Sequence, residues 1–364
     1  MWIDLLIKLA LASTMLFMVL NLAGIQTWVE RKQSAIMQDR IGANRAYFAL
    51  PWGWAAPINW VLRKLGGLGL LHPLADVLKL LTKEDFVPRT GNRLLHTLAP
   101  WLSVFFALVA FAAIPFGDRL FLFGRTIELQ VATLNAGLLY VLALASIGTY
   151  GVILAGLASG NNYATLGGLR AASQAFAYEI ALGVSLIGVI IWYGTLDLQE
   201  IIRAQGAYLW GWLPKWGVVV QPIACLVFVT AALAETKRVP FDLPEGESEI
   251  IGYFVEYSGM KFGLFLLTDF VETVLVAALT TVLFFGGWQI PWLRPDACSP
   301  NVMALLGMVA FTVKVSCFLW LFMAIRWTLP RFRYDQLMRL GWKALFPLSL
   351  ANIGVTGLVR VLIR

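Results

Sequence analysis

The chain predicts an all-α integral membrane protein with about eight transmembrane helices and amphipathic helices in its first loop. Three observations carry that prediction. Hydrophobic residues make up 59% of the 364 and charged residues only 13%, far from the balance of a water-soluble domain. Eight stretches reach the roughly twenty apolar residues that one helical crossing of a bilayer needs. Lys and Arg are divided unevenly, 19 in the odd-numbered loops between those stretches and 5 in the even-numbered ones.

The spans are expected near 3–28, 97–117, 132–157, 175–194, 217–236, 262–286, 302–326 and 343–362. Lys8 ahead of the first apolar run gives that run some likeness to a signal peptide. Its length, the lack of a small-residue cleavage site and the basic loop behind it make it a retained span. The positive-inside bias puts the odd loops in the cytoplasm and both termini outside. The formal charge of +7 thus belongs to topology, and no nucleic-acid partner is expected. With no clear internal repeat or low-complexity run, 1–364 reads as a single polytopic membrane domain, the loop at 30–96 lying at the interface.

Within that first loop, 46–67 (AYFALPWGWAAPINWVLRKLGG) joins three tryptophans to Arg63 and Lys64. Pro51 and Pro57 argue against one long helix, so an interfacial segment with its aromatic side on lipid is expected. PLADVLKLLTK at 73–83 follows as a short amphipathic helix, with Pro73 suited to its first turn and Asp76 and Lys79 on one face.

Charges inside spans cost roughly 2.5–3.5 kcal/mol each on insertion scales, which makes them functional candidates. Glu179 falls one turn into the fourth span and Glu235 closes the fifth. Asp269 and Glu272 share a face of the sixth, and Lys314 sits near the middle of the seventh. Two readings stay open. Lys314 neutralises one carboxylate and the set fixes helix packing, or the carboxylates form a proton relay. The segment ETKRVPFDLPEGESE, Glu235 to Glu249, concentrates five carboxylates and two cations. Pro244 fits the first turn of a helix whose start would favour Glu245, Glu247 and Glu249; the surplus acids and Lys237 and Arg238 suit proton guidance or a basic partner surface.

Cys225, Cys298 and Cys317 have no pairing pattern, and His72 and His96 stand apart. No metal or cluster site is encoded, so any redox centre belongs to a partner.

Several long motifs in order then resemble one family over nearly the whole chain: the H-type membrane subunit of bacterial NADH:quinone oxidoreductase, respiratory complex I. They are ERKQSAIMQDRIGANR from Glu30, GLLHPLADVLKLLTKED from Gly69, GLASGNNYATLGGLRAASQAFAYE ending at Glu179, the acidic segment, and PRFRYDQLMRLGWK from Pro330. The resemblance implies a quinone tunnel at the junction of the membrane and peripheral arms, with quinone as substrate and buried carboxylates leading toward proton-pumping subunits. No cofactor is expected on this chain; flavin and iron–sulfur clusters are implied in partner subunits, and membrane lipids surround it. Residue by residue, Glu30, Arg31, Arg40 and Arg45 match the first motif near the quinone entrance, and Asp76, Lys79 and Glu84 match the helix after it. Glu235, Arg238, Asp242, Glu245, Glu247 and Glu249 match the acidic tunnel loop, and Glu179 the carboxylate beneath. Asp269, Glu272 and Lys314 complete the expected proton pathway. Departures are Ala43 for the usual proline, His72 for glutamine, Asn162 for lysine, Asp269 for glutamate, a longer stretch between Arg45 and Gly69, and one residue fewer between Glu249 and Glu256. The alternative with the same fold is the ion-translocating membrane component of a hydrogenase-type complex, which uses no quinone.

Overall fold

The computed structural model describes residues 2–52, 55–122, 124–209, 211–246, 249–293 and 299–363. Among these, seven helices are long and apolar enough to cross a membrane. The chain opens with α1 (Trp2–Met37), whose 36 residues rise about 54 Å at 1.5 Å each, well beyond a hydrocarbon core. Its last turns therefore stand clear of the apolar layer and carry Glu30 and Arg31, which the sequence places in a loop.

Two short helices follow, α2 (Ala56–Leu68) and α3 (His72–Thr82), each with proline in its first turn and bent 93° to one another. Gly69 makes the corner at φ 85°, a conformation that side chains with a Cβ resist. Trp60 on α2 is 62% exposed with the Lys64 ammonium 5.0 Å from its ring. An aromatic side left open in this way suits a lipid interface.

The bundle proper comprises α4 (Arg93–Ala110), α5 (Gly137–Ala158), α6 (Asn162–Tyr193), α8 (Gly217–Val220), α9 (Pro222–Glu235), α10 (Gly259–Phe284), α11 (Pro300–Thr328) and α13 (Phe346–Ile363). The small helix α7 (Leu198–Gln205) covers one end beside an antiparallel hairpin of β1 (Arg119–Leu122) and β2 (Arg125–Glu128). A two-residue pair, β3 (Tyr208–Leu209) and β4 (Leu213–Pro214), lies near it. Helix α10 is the axis, with nearly every residue from Val271 to Phe284 buried. Small residues let α5 and α6 approach closely: a Cβ on Gly156 would stand 2.6 Å from the Ala164 carbonyl.

Three expectations need correction. The fourth helix begins at Asn162 rather than near 175, because its first turns are polar; Glu179 is accordingly mid-helix. The fifth apolar stretch is a broken helix interrupted at Gln221, since Pro222 has no N–H to continue α8. The break is sealed inside the protein, where the Gln221 side chain bonds Asn352 at 2.9 Å and Thr356 at 2.8 Å from α13. Finally, 326–343 is not all loop, because α12 (Tyr334–Arg339) starts the last helix and a π turn at Leu340–Leu345 leads into α13. Pro347 lacks the N–H that would bond the Lys343 carbonyl, a cause of such local widening.

Candidate functional site

The site gathers where the end of α9, the acidic segment and the extended end of α1 meet. Helix α6 fixes the segment's path: Gln174 Nε2 donates to the carbonyls of Ala234 at 2.6 Å and Phe241 at 2.8 Å. From Phe241 to Ser258 the described backbone runs through turns. The helix expected from Pro244 is thus absent among the described residues. Ile251 at φ 67° and Gly252 at φ 121° turn the chain out of helical geometry. Glu247 lies outside the described residues, as does Cys298.

Four ion pairs define the core of the site. Glu30 is held between two arginines, Arg326 at 2.5 Å from the end of α11 and Arg238 at 3.7 Å from the acidic segment. Lys237 meets Glu272 of α10 at 3.4 Å, and their side chains are only 3% and 15% exposed. Arg331 reaches Asp242 at 2.7 Å. The Arg238 guanidinium also lies 4.0 Å from the centre of the Phe270 ring.

Around these pairs the carboxylates form one electrostatic network. Asp269 interacts with Arg238, Lys237 and Glu272, and Glu235 with Glu179, Glu272 and Lys237. Glu235 and Glu272 line one largely apolar cavity between α4, α5, α6, α9 and α10. In the segment between spans, burial pushes the Glu245 carboxyl well above its ordinary pKa, and the negative charges of Asp269 and Asp242 add to that. Burial opposes the charge on Lys237, but Glu272, Asp269 and Glu235 outweigh it and raise its pKa. Burial likewise lifts the Tyr253 phenol, whose hydroxyl has no hydrogen-bond partner among the described residues.

The structure therefore brings Glu30, Arg238, Asp242, Glu245, Asp269, Glu272, Glu235 and Glu179 into one connected set. Arg31 pairs with Asp76 at 2.5 Å on a half-exposed surface, where such a contact contributes about 0–1 kcal/mol. Arg40, Arg45, Lys79 and Glu84 are exposed, and Glu249 bonds Arg170 at the rim. Lys314 stands apart and pairs with no carboxylate among the described residues. Its ammonium is held by the carbonyls of Phe285, Gly287 and Gln289 at 2.8, 3.0 and 2.6 Å, just beyond the end of α10, so of the two readings left open the one that pairs Lys314 with a carboxylate is not met, and the buried pair is Lys237–Glu272.

Sequence reasoning missed Arg326 and Arg331, whose aromatic neighbours read first as an interface anchor. It also missed Gln26 and Gln33 on α1. They flank Glu30 at positions −4 and +3, on its face of the helix. They are 2% and 7% exposed, and neither amide has a partner among the described residues. His96 is not a loop residue but lies in the first turn of α4, stacked on Tyr257 at 3.9 Å with Nε2 3.3 Å from the Glu256 carbonyl.

Comparison with known proteins fits this arrangement. Residues 9–357 match the family described as NADH dehydrogenase. The chain is 44% identical over 364 residues to the NADH-quinone oxidoreductase H subunit of Thermomicrobium roseum, covering 99% of this chain and 98% of that one. It is 43% identical to an NADH-quinone oxidoreductase H subunit of Geobacter metallireducens over 99% and 98% of the two chains, and 42% identical to that of Flavobacterium psychrophilum over 94% of each. The chain belongs to the H-subunit family of NADH-quinone oxidoreductase. It is a multi-pass membrane component of an oxidoreductase complex.

Proposed function

We propose that this subunit forms the quinone-binding tunnel of a proton-translocating NADH:quinone oxidoreductase and couples quinone reduction to proton movement through its buried carboxylates. The observation that carries this reading is the continuity of the charged set. From Glu30 and its two arginines, electrostatic contacts run through Asp269, Lys237 and Glu272 to Glu235 and Glu179. The set holds more carboxyls than cations, so it exchanges protons when charge nearby changes.

Quinone enters from the membrane beside α1 and α3, past Arg31, Asp76 and the exposed Arg40, Arg45, Lys79 and Glu84. Gln26 and Gln33 offer it neutral amides that can donate to a quinone carbonyl or accept from a quinol hydroxyl. Electrons reach the head group from flavin and iron–sulfur clusters in peripheral-arm partners. Reduction to quinol consumes two protons, and the acidic segment, including Glu247 and Glu249, answers by changing protonation. Glu235, Glu272, Asp269 and Glu179 carry that change toward neighbouring membrane-arm subunits. Lys314, bound to carbonyls at the far end of α10, acts at a distance from this step.

The loop charges favour a cytoplasmic first loop and acidic segment and an α1 that starts on the periplasmic side of the inner membrane, and we read 1–364 as one polytopic domain. The quinone in the relatives' names favours this reading over a quinone-free hydrogenase-type complex. A photoreactive quinone added to the purified complex tests it. Labelling is expected within 26–45 and 235–245 and is expected to be displaced by excess ordinary quinone. Labelling confined to other subunits would contradict the tunnel.

A further inference from the structure

At the opposite end of the bundle from the carboxylate network, α1, the β1–β2 hairpin and the stretch after it enclose an open cleft. Its charged rim is Lys8, Arg119, Arg125, Asp4 and Glu128. Two pairs cross that rim, Arg125 with Asp4 at 2.7 Å and Arg119 with Glu128 at 3.3 Å. Among the described residues Lys8 makes no ion pair or hydrogen bond, so it is the uncompensated charge of the rim. Each arginine has five N–H donors in a fork that matches phosphate oxygens. In these pairs each meets its carboxylate through a single nitrogen.

The floor is apolar, formed by Ile7, Leu11, Ile127 and Val131, and Leu5, Leu6 and Leu9 of α1 are exposed beside it. An unpaired ammonium above an apolar floor, on a helix with exposed leucines, suits a ligand that is anionic at one end and hydrocarbon at the other. Gln130 adds a second polar feature. It lines the same cleft and is 4% exposed. Its Nε2 is committed to the Ala113 carbonyl at 2.7 Å, and its buried Oε1 has no partner among the described residues.

We propose that this cleft binds an anionic glycerophospholipid. The phosphate rests on Lys8 with the free N–H groups of Arg119 and Arg125, and an acyl chain follows Ile7 and Leu11. The site is separate from the quinone chemistry and needs none of the carboxylates that serve it.

The test uses the intact purified complex, exchanged into phosphatidylglycerol or phosphatidylcholine, with retained lipid counted by native mass spectrometry. Phosphatidylglycerol is expected to be retained selectively, and Lys8→Gln to weaken that retention about fivefold, the effect of removing one interfacial cation. Quinone reductase activity of Lys8→Gln in excess lipid should match wild type, which separates this site from the tunnel and shows that the variant has assembled. Equal retention of phosphatidylglycerol by wild type and Lys8→Gln would overturn the proposal. So would displacement of the lipid by millimolar inorganic phosphate, which would make the cleft a site for free anions.

Discussion

Glu235→Gln is expected to cut NADH:quinone turnover about a hundredfold, the low end of what a positioned proton-transfer group contributes. NADH oxidation by an artificial acceptor that bypasses quinone should stay unchanged. The side chain closes α9 and faces the cavity it shares with Glu272, and its electrostatic partners are Glu179, Glu272 and Lys237. Glutamine keeps the volume and hydrogen-bonding capacity but cannot take or give a proton. The packing therefore survives and the exchange does not. The complex should assemble to wild-type amounts, so the loss appears in turnover alone. Full quinone turnover and pumping in this variant would remove Glu235 from the pathway.

The second large effect is on stability. Lys237→Met removes the ammonium that is 3% exposed beside Glu272 and that also faces Asp269 and Glu235. Breaking one side of a buried pair costs about 3–5 kcal/mol, because the remaining charge stays desolvated. The assembled complex in membranes should fall sharply, as should its melting temperature. Adding Glu272→Gln removes the orphaned charge, and the double variant is expected to be more stable than Lys237→Met alone. A double-mutant cycle reads this directly. If the two substitutions prove additive, the pair is not an energetic unit and Lys237 has another role.

The membrane architecture was legible because each long apolar run forces a helix, whatever packs around it. Its edges were less so. The turns from Asn162 to Gln174 are polar enough to pass for a loop, yet they are helical and place Gln174 where it fastens the acidic segment. Pro222 was visible in the sequence, but the buried partners that make a break tolerable come from Asn352 and Thr356, more than a hundred residues away. In the acidic segment, Pro244 and the glutamates after it follow helix-start rules, and the left-handed backbone at Ile251 and Gly252 overrides them.

For the site, intramembrane Glu179, Asp269 and Glu272 announce themselves by the cost of placing them there. Their cationic partners do not. Lys314 was the conspicuous candidate because it sits in a span, while Lys237, Arg238 and Arg326 sit at span ends, where topology alone accounts for a cation. Only the fold shows that Arg326 and Arg238 converge on Glu30. Gln26 and Gln33 carried no signal, since an uncharged amide near the end of a span is unremarkable until it is buried without a partner.

Infrared difference spectroscopy of the complex, before and after quinone reduction, tests the coupling most directly. If the buried carboxylates answer the quinone, the wild-type spectrum shows carboxyl carbonyl bands that appear or vanish on reduction, and part of that signal is missing in Glu235→Gln and in Asp269→Asn. Identical carboxyl difference bands in wild type and both variants, with quinone still being reduced, would contradict the account.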